Sequence, residues 1–539
     1  MIKFTKKRKI VLLSASLLVL ILILLTSFLL SNKGQIVTIP KVITIWSEQE
    51  QGCTIIPKPV DYKSNPGNFT LSNSSSIYVS GNNSTQTEEI DKIGQYLADI
   101  LNPSTGYNLS VVKSSRPKVG SIYLTTKNGS ADLGNEGYLL DITSEGVTLR
   151  AYTTEGLFRG IQSIRQMLPA DIEKDTVIAG VTWTMPCSSI IDYPTYPWRG
   201  MMLDVARHFL DVEDVKRTID LVAQYKMNKF HLHLTDDQGW RIEIKSWPDL
   251  TKIGGSTEVD GGDGGFYTQE EYIDIVNYAK DRYITIIPEI DMPGHVNAAL
   301  ASYGELNPDG LQKKPYTGTG VGISTLMCRS ETTYTFINDV ISELAAITPG
   351  EYIHVGGDEA SQTSAVDYKY FVGRVNEIVA TYGKKSIGWN PYDNSDGTLS
   401  DDLLQDWRGK SKSAQSKGMK IIMSPPDKAY IDMQYDADTP IGHNWAGFTT
   451  TDEAYQWDPT DYAPEASIIG VECALWTEKL ETMEDVEYLA FPRLLGHAEV
   501  GWTPKDLRNW DGYKVRLQSH GPRMENQGIN FYKDPVVPW

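Results

Sequence analysis

The sequence predicts an α/β protein. A (β/α)8 TIM barrel spans residues 196–539, preceded by a small α+β domain over 51–195 and an N-terminal transmembrane helix over 10–30. Three observations predict this. Short apolar runs of strand length recur after about Pro197, with helical segments between many of them. Residues from about 51 to 190 mix strand-like and helical runs on a background rich in Ser, Thr, Asn and Gly. The first thirty residues pair a basic flank with a long uncharged apolar stretch.

The N-terminal segment divides into a basic tail (1–9), the apolar stretch (10–30) and a linker (31–50). Lys3, Lys6, Lys7, Arg8 and Lys9 precede the stretch, and residues 1–30 hold no acid. As a helix rising about 1.5 Å per residue, it reaches across a bilayer core. The positive-inside rule puts the tail in the cytoplasm and the rest of the chain outside. A cleaved signal sequence is the alternative, but the stretch is long for one and lacks a small-x-small site. The net charge is −19. Removing the five basic residues of the tail leaves −24 for the exported part, a surface that disfavours nucleic acid.

In the α+β region, Ser76–Val79, Ser121–Thr125 and Val147–Ala151 read as strands. Glu88–Leu101 and Gly156–Met167 place apolar residues at helical spacing. This region holds no acid/base constellation and reads as support. Eight strands follow: Gly200–Val205, Lys229–Leu234, Ile284–Glu289, Tyr352–Val355, Lys385–Trp389, Leu403–Trp407, Met419–Met423 and Ile468–Leu475. Between the first two, Val212–Met227 reads as a helix with Asp211 as its N-cap. A doubly wound open sheet is the competing topology, but no Gly-rich phosphate fingerprint follows any strand. Barrel enzymes carry their chemistry at the C-terminal ends of strands, and seven of the eight predicted strands end on charged or Trp-bearing segments.

The most informative of these ends is His354-Val355-Gly356-Gly357-Asp358-Glu359. Two-carboxylate glycosidases place their acids on opposite sides of the scissile bond. Adjacent residues leaving one strand do not straddle a bond, so one acid and one helper carboxylate fit better than acid plus nucleophile. A 2-acetamido sugar supplies the missing nucleophile, because its amide oxygen can attack C1 and form an oxazolinium ion.

With Leu203–His208, His231–Trp240 and Pro288–His295, this run resembles family 20 glycoside hydrolases, the β-N-acetylhexosaminidases, across roughly residues 55–520. The resemblance implies a retaining exo-hydrolase that removes terminal β-linked N-acetylglucosamine or N-acetylgalactosamine from glycans by substrate-assisted catalysis, without metal or other cofactor. It implies Glu359 as the general acid, and Asp358 as the carboxylate that orients the acetamido group. Tyr430 resembles the tyrosine that bonds the acetamido oxygen. Trp389, Trp407 and Trp476 resemble the aromatic walls, with Trp445 as a fourth. Arg207 and Glu478 resemble the pair that grips sugar hydroxyls, with Asp432 adding a contact. Asp236 and His295 resemble a supporting dyad, with Asp291 alongside.

Other readings stand beside these. His231 and His233 share a strand face as hydrogen-bonded histidines, or as an H-x-H metal pair completed by His295 or Asp291. The outer loops Gly254–Gly265 and Pro308–Gly322 leave room for a disaccharide-releasing (lacto-N-biosidase-like) or polysaccharide-specific enzyme. A catalytically dead carbohydrate-binding barrel is a further class. Cys53, Cys187, Cys328 and Cys473 show no ligand spacing and read as lone thiols. The 13 Trp and 29 Tyr suit sugar faces and ordinary packing alike.

Overall fold

The structure is a computed structural model that describes residues 52–539. The predicted tail, membrane helix and linker lie outside the described residues. Among the described residues, no helix is long and apolar enough to cross a membrane.

The first region is a seven-stranded mixed sheet with spatial order β1-β7-β5-β6-β4-β2-β3. Its strands are β1 (Asp61–Thr70), β2 (Ile77–Ser80), β3 (Val111–Lys113), β4 (Ser121–Thr125), β5 (Tyr138–Thr143), β6 (Gly146–Ala151) and β7 (Thr184–Asp192). The helices Ser84–Thr105 and Thr154–Met167 pack on it. Asn83 caps the first helix by accepting the Gln86 N–H at 2.9 Å. β2, β4 and β6 are the strands read from sequence. β1 and β7 escaped because they carry Pro66 and Pro186 and many hydroxyl residues. They are held by antiparallel backbone pairing, with a register shift between Ser64 and Asn68, and hydrophobic alternation contributes little.

The second region is a closed parallel barrel of eight strands. They are β8 (Trp198–Asp204), β9 (Lys229–His233), β10 (Thr285–Glu289), β11 (Tyr352–His354), β12 (Lys385–Trp389), β13 (Leu403–Asp406), β14 (Lys420–Met423) and β15 (Ile468–Leu475). Closure is made by β15 against β8, in register from Gly470↔Trp198 to Leu475↔Leu203. The helix after β8 runs Val212–Ala223, with the Asp211 side chain accepting from the Glu213 and Asp214 N–H groups. It ends four residues before the predicted limit. Lys226 adopts φ 62°, which turns the chain into β9 and buries its ammonium.

The barrel interior is layered. Trp198, Ile287, Ile387, Leu403 and Ile422 form an apolar floor. Above it lies a polar layer of His231, Glu289, His354, Gln405 and Glu472, all buried. Gly200 makes room for it, because a Cβ there would stand 2.2 Å from Glu472 Oε2. The two regions meet through buried charge. Glu136 of the sheet region pairs with Arg199 of β8 and with Arg159, at 3.0 Å for the latter. Lys226 Nζ donates to Asp192 Oδ2 at 2.8 Å, and the Trp502 indole donates to Asp192 Oδ1 at 2.7 Å. The four cysteines are free thiols, and all but Cys53 are fully buried.

Candidate active site

The C-terminal ends of the barrel strands enclose a cavity of about 350 Å³. At about 30 Å³ per water, that is the scale of one monosaccharide. Of the thirteen residues singled out from sequence, twelve line it: Arg207, Asp236, Asp291, His295, Asp358, Glu359, Trp407, Tyr430, Asp432, Trp445, Trp476 and Glu478. Trp389 does not. It is 1% exposed, packs behind Trp476 with ring centroids 5.9 Å apart, and donates its indole N–H to Glu289 at 2.9 Å. It backs the aromatic wall from beneath.

The acidic pair hangs on an unusual backbone. Gly356 and Gly357 take φ 66° and 102°, and Glu359 takes φ 43°. At Gly356 a Cβ would fall 1.6 Å from Asp291 Oδ1, so no side chain fits. The Gly357 N–H donates to that oxygen at 3.1 Å, and Tyr368 donates to the Gly357 carbonyl at 2.6 Å. These contacts hold Glu359 in a region that non-glycine residues seldom occupy. Its side chain is 32% exposed, against 13% for Asp358. Glu359 therefore faces the entrance while Asp358 faces inward. His295 Nε2 stands 3.6 Å from Glu359 Oε2 and 4.0 Å from Asp358 Oδ2, so one nitrogen addresses both acids from the same side.

Behind His295, its Nδ1 contacts Asp236 Oδ1 at 3.0 Å. The other Asp236 oxygen is met by Arg207 Nη2 at 2.8 Å and His233 Nε2 at 2.9 Å. Arg207 also donates to Asp204 Oδ2 at 3.2 Å, lies 3.8 Å from Glu478 and stacks over the Trp476 ring. Asp204 is thus a structural carboxylate: it also accepts the Ala206, Arg207 and Thr477 N–H groups. Trp445, 57% exposed, stands edge-on to both Trp407 and Tyr430 at the rim.

Burial and neighbouring charge sort the acids by protonation. Burial pushes the Asp358 carboxyl up to about 6; His295 pulls it down, and Glu359 pushes it further up. Burial and the Asp358 charge raise Asp291 well above the carboxylate range. Asp432 is pushed up to about 7 by burial, against the pull of His443. Glu478 goes the other way: burial raises it, but Arg207 and His443 outweigh that and hold it at about 2. Burial disfavours the His295 cation, yet Asp236 and Asp291 hold it well above the usual histidine value.

Several buried polar atoms of this lining have no hydrogen-bond partner: Arg207 Nε, His295 Nε2, Asp358 Oδ1, both Asp432 carboxylate oxygens, His443 Nε2 and Glu478 Oε2. Unpaired buried groups are costly, and such a concentration in one aromatic-walled cavity marks a place for a hydroxyl- and amide-bearing ligand. Sequence reasoning missed His443, which lies 3.5 Å from Glu478. The only signal was a histidine two residues before a candidate wall, Trp445. It also missed Thr319 and Val321, which reach the cavity from the predicted outer loop.

His231 and His233 are hydrogen-bonded. His231 Nδ1 contacts Glu472 at 2.8 Å, and its Nε2 lies 2.9 Å from Glu289, which His233 Nδ1 also meets. His231, Glu289 and His354 have the composition and spacing of a metal cage. Each Glu289 oxygen already faces two ring nitrogens, however, one of them the donating Trp389 indole, and an ion would have to displace them.

A parallel barrel with a one-sugar pocket, aromatic walls and an adjacent acid pair at a strand end defines a carbohydrate-active barrel. Comparison with known proteins gives the family. The model of the glycosyl hydrolase family 20 catalytic domain matches residues 196–505, and that of the family's domain 2 matches 52–193. The chain belongs to glycoside hydrolase family 20. It is 37% identical over 501 residues to a β-N-acetylhexosaminidase of Cellulomonas fimi, covering 90% of this chain and 97% of that one. It is 35% identical over 537 residues to a β-hexosaminidase of Porphyromonas gingivalis, covering 94% and 67%. The family 20 β-N-acetylhexosaminidase structure from Streptomyces coelicolor A3(2) superposes with a TM-score of 0.86 at 46% identity, covering 90% of this chain and 98% of that one. A mutant Streptomyces plicatus β-hexosaminidase in complex with its product GlcNAc gives 0.85, also at 46% identity, covering 90% and 97%.

Proposed function

We propose that the chain is a retaining exo-β-N-acetylhexosaminidase that removes terminal non-reducing β-linked N-acetylglucosamine or N-acetylgalactosamine, with the substrate's acetamido oxygen as nucleophile. The carrying observation is that Asp358 and Glu359 are addressed by one nitrogen of His295, which supports same-side roles and not a pair flanking the bond. Glu359, at the entrance, protonates the leaving oxygen as the acetamido oxygen attacks C1. Asp358, ionised above about pH 6, accepts the acetamido N–H and stabilises the oxazolinium charge. Burial and nearby carboxylates keep the Tyr430 phenol protonated, so it donates to the acetamido oxygen. Water then attacks C1 from the face the leaving group vacated and gives its proton to Glu359, which restores both groups and retains configuration. Arg207, Asp432, His443 and Glu478 bind the hydroxyls of the terminal sugar.

The test is an aryl β-GlcNAc against the matching β-glucoside, which lacks the acetamido group. Turnover of the first alone is expected; comparable turnover of both overturns the reading. Glu359→Gln is expected to cost about 10²–10⁴-fold in kcat on disaccharides while sparing product binding. The basic flank and apolar stretch of residues 1–30 support tethering at the outer face of a membrane. Fractionation with the N-terminal mass of the exported protein tests this: an intact tail in the membrane fraction is expected, and a soluble form starting after residue 30 overturns it.

A further inference from the structure

The site continues downward into the barrel core. Six groups follow one another as alternating carboxylates and imidazoles: Glu472, His231, Glu289, His233, Asp236 and His295, the last facing Glu359. The contacts are 2.8 Å from Glu472 to His231 Nδ1 and 2.9 Å from His231 Nε2 to Glu289. His233 bridges Glu289 and Asp236, the latter at 2.9 Å, and Asp236 meets His295 at 3.0 Å. A histidine with an ionised carboxylate on each nitrogen carries a proton on both. Accordingly, burial disfavours the cations, but the flanking acids hold His233 well above the ordinary histidine range and His231 at about 9.

We propose that His233 and Glu289 are positioning residues for the acid step, setting through Asp236 and His295 the ease with which Glu359 releases and recovers its proton. This rests on Glu359 being the acid. When Glu359 gives up its proton, the new carboxylate faces the imidazolium His295. The strength of that help depends on the charge behind it. His233 is faced by Glu289 from β10, Asp236 from its own loop, Asp204 from β8 and the Trp476 ring, edge-on at 5.0 Å. Asp236 is faced by Arg207, His233 and His295. Glu289 is faced by His231, His233, His354 and the Trp389 indole. His295 is faced by Asp236, Asp291, Asp358 and Glu359. Within this enclosure His233 supplies a positive charge and Glu289 a negative one, and neither touches the cavity.

Their opposite charges give the test. Replacing the cation by His233→Gln leaves the acid in more negative surroundings, and the basic limb of the kcat/KM profile moves up by about half a pH unit. Glu289→Gln removes a negative charge and moves the same limb down. In both variants, kcat on a GlcNAc disaccharide falls several-fold more than on a 2,4-dinitrophenyl glycoside, whose leaving group needs no protonation, while KM changes little. A purely structural role predicts equal losses on both substrates and no opposed movement of the limb, and that result overturns the proposal. If either variant fails to fold, ¹⁵N-histidine NMR of the wild-type protein decides. His231, His233 and His295 are expected to be doubly protonated at pH 8, and a neutral His233 overturns the proposal. A Glu359→Gln enzyme that still cleaves disaccharides at the wild-type rate marks failure of the acid assignment instead.

Discussion

Asp358 and Asp432 show how one cavity gives similar side chains different work. Both are buried with oxygens left unpaired, and both are raised, to about 6 and about 7. In the proposed mechanism these acids work ionised, so kcat/KM is expected to fall as pH drops through this range. In Asp358→Asn the residual activity should lose the lower step, measured as kcat/KM from pH 4 to 8. The linkage has a second face. An acid whose folded value is raised destabilises the fold once pH exceeds its unfolded value, so Asp432→Asn is expected to raise Tm at pH 8, by about one to a few degrees, while weakening sugar binding. Glu478 has the opposite sign: its folded value is depressed to about 2. Its contribution is present above the unfolded carboxylate value and is lost as pH falls towards 2. At this scale the sequence disclosed most of the lining because most of the residues that line the cavity sit in strand-end runs. It did not disclose His443, or the retreat of Trp389 behind the wall, because both follow from loop and rotamer packing that no linear spacing encodes.

At the scale of elements, all eight barrel strands were legible, because strands buried on both faces are short continuous apolar runs. The edge strand β1 was not, since exposed pairing through backbone needs no hydrophobic pattern. The end of the helix at Ala223 was missed as well, because Lys226 closes it through an ion pair with Asp192, a residue of the preceding region. The turn after β11 carries the acid pair and is the least replaceable element. Gly356→Ala would combine a positive φ, worth about 1–2 kcal/mol, with a clash on Asp291. It should lower Tm and abolish activity together, read by thermal melt and assay of the soluble fraction. Asp211→Ala removes a helix cap at about 1 kcal/mol and should lower Tm slightly with kcat unchanged.

At the scale of the molecule, the sheet region is bound to the barrel by buried ions. Glu136 pairs with Arg159 and Arg199, and removing it leaves the buried Arg199 guanidinium without a carboxylate, while Arg159 keeps Glu155 at 3.1 Å. Glu136→Ala is expected to cost about 3–5 kcal/mol and to lower the melting of both regions in one transition, seen as a single shifted calorimetric peak. Two separate peaks would mean the regions unfold independently. The closure of β15 on β8 has a further consequence, one of timing. The ring joins its first and last strands, about 270 residues apart in sequence, and Trp476 and Glu478 follow the last of them. Contacts that distant form late. A chain emerging from its ribosome stays open until its last barrel strand arrives, and its pocket takes shape only when Trp476 and Glu478, which follow that strand, have joined the residues carried by the earlier ones.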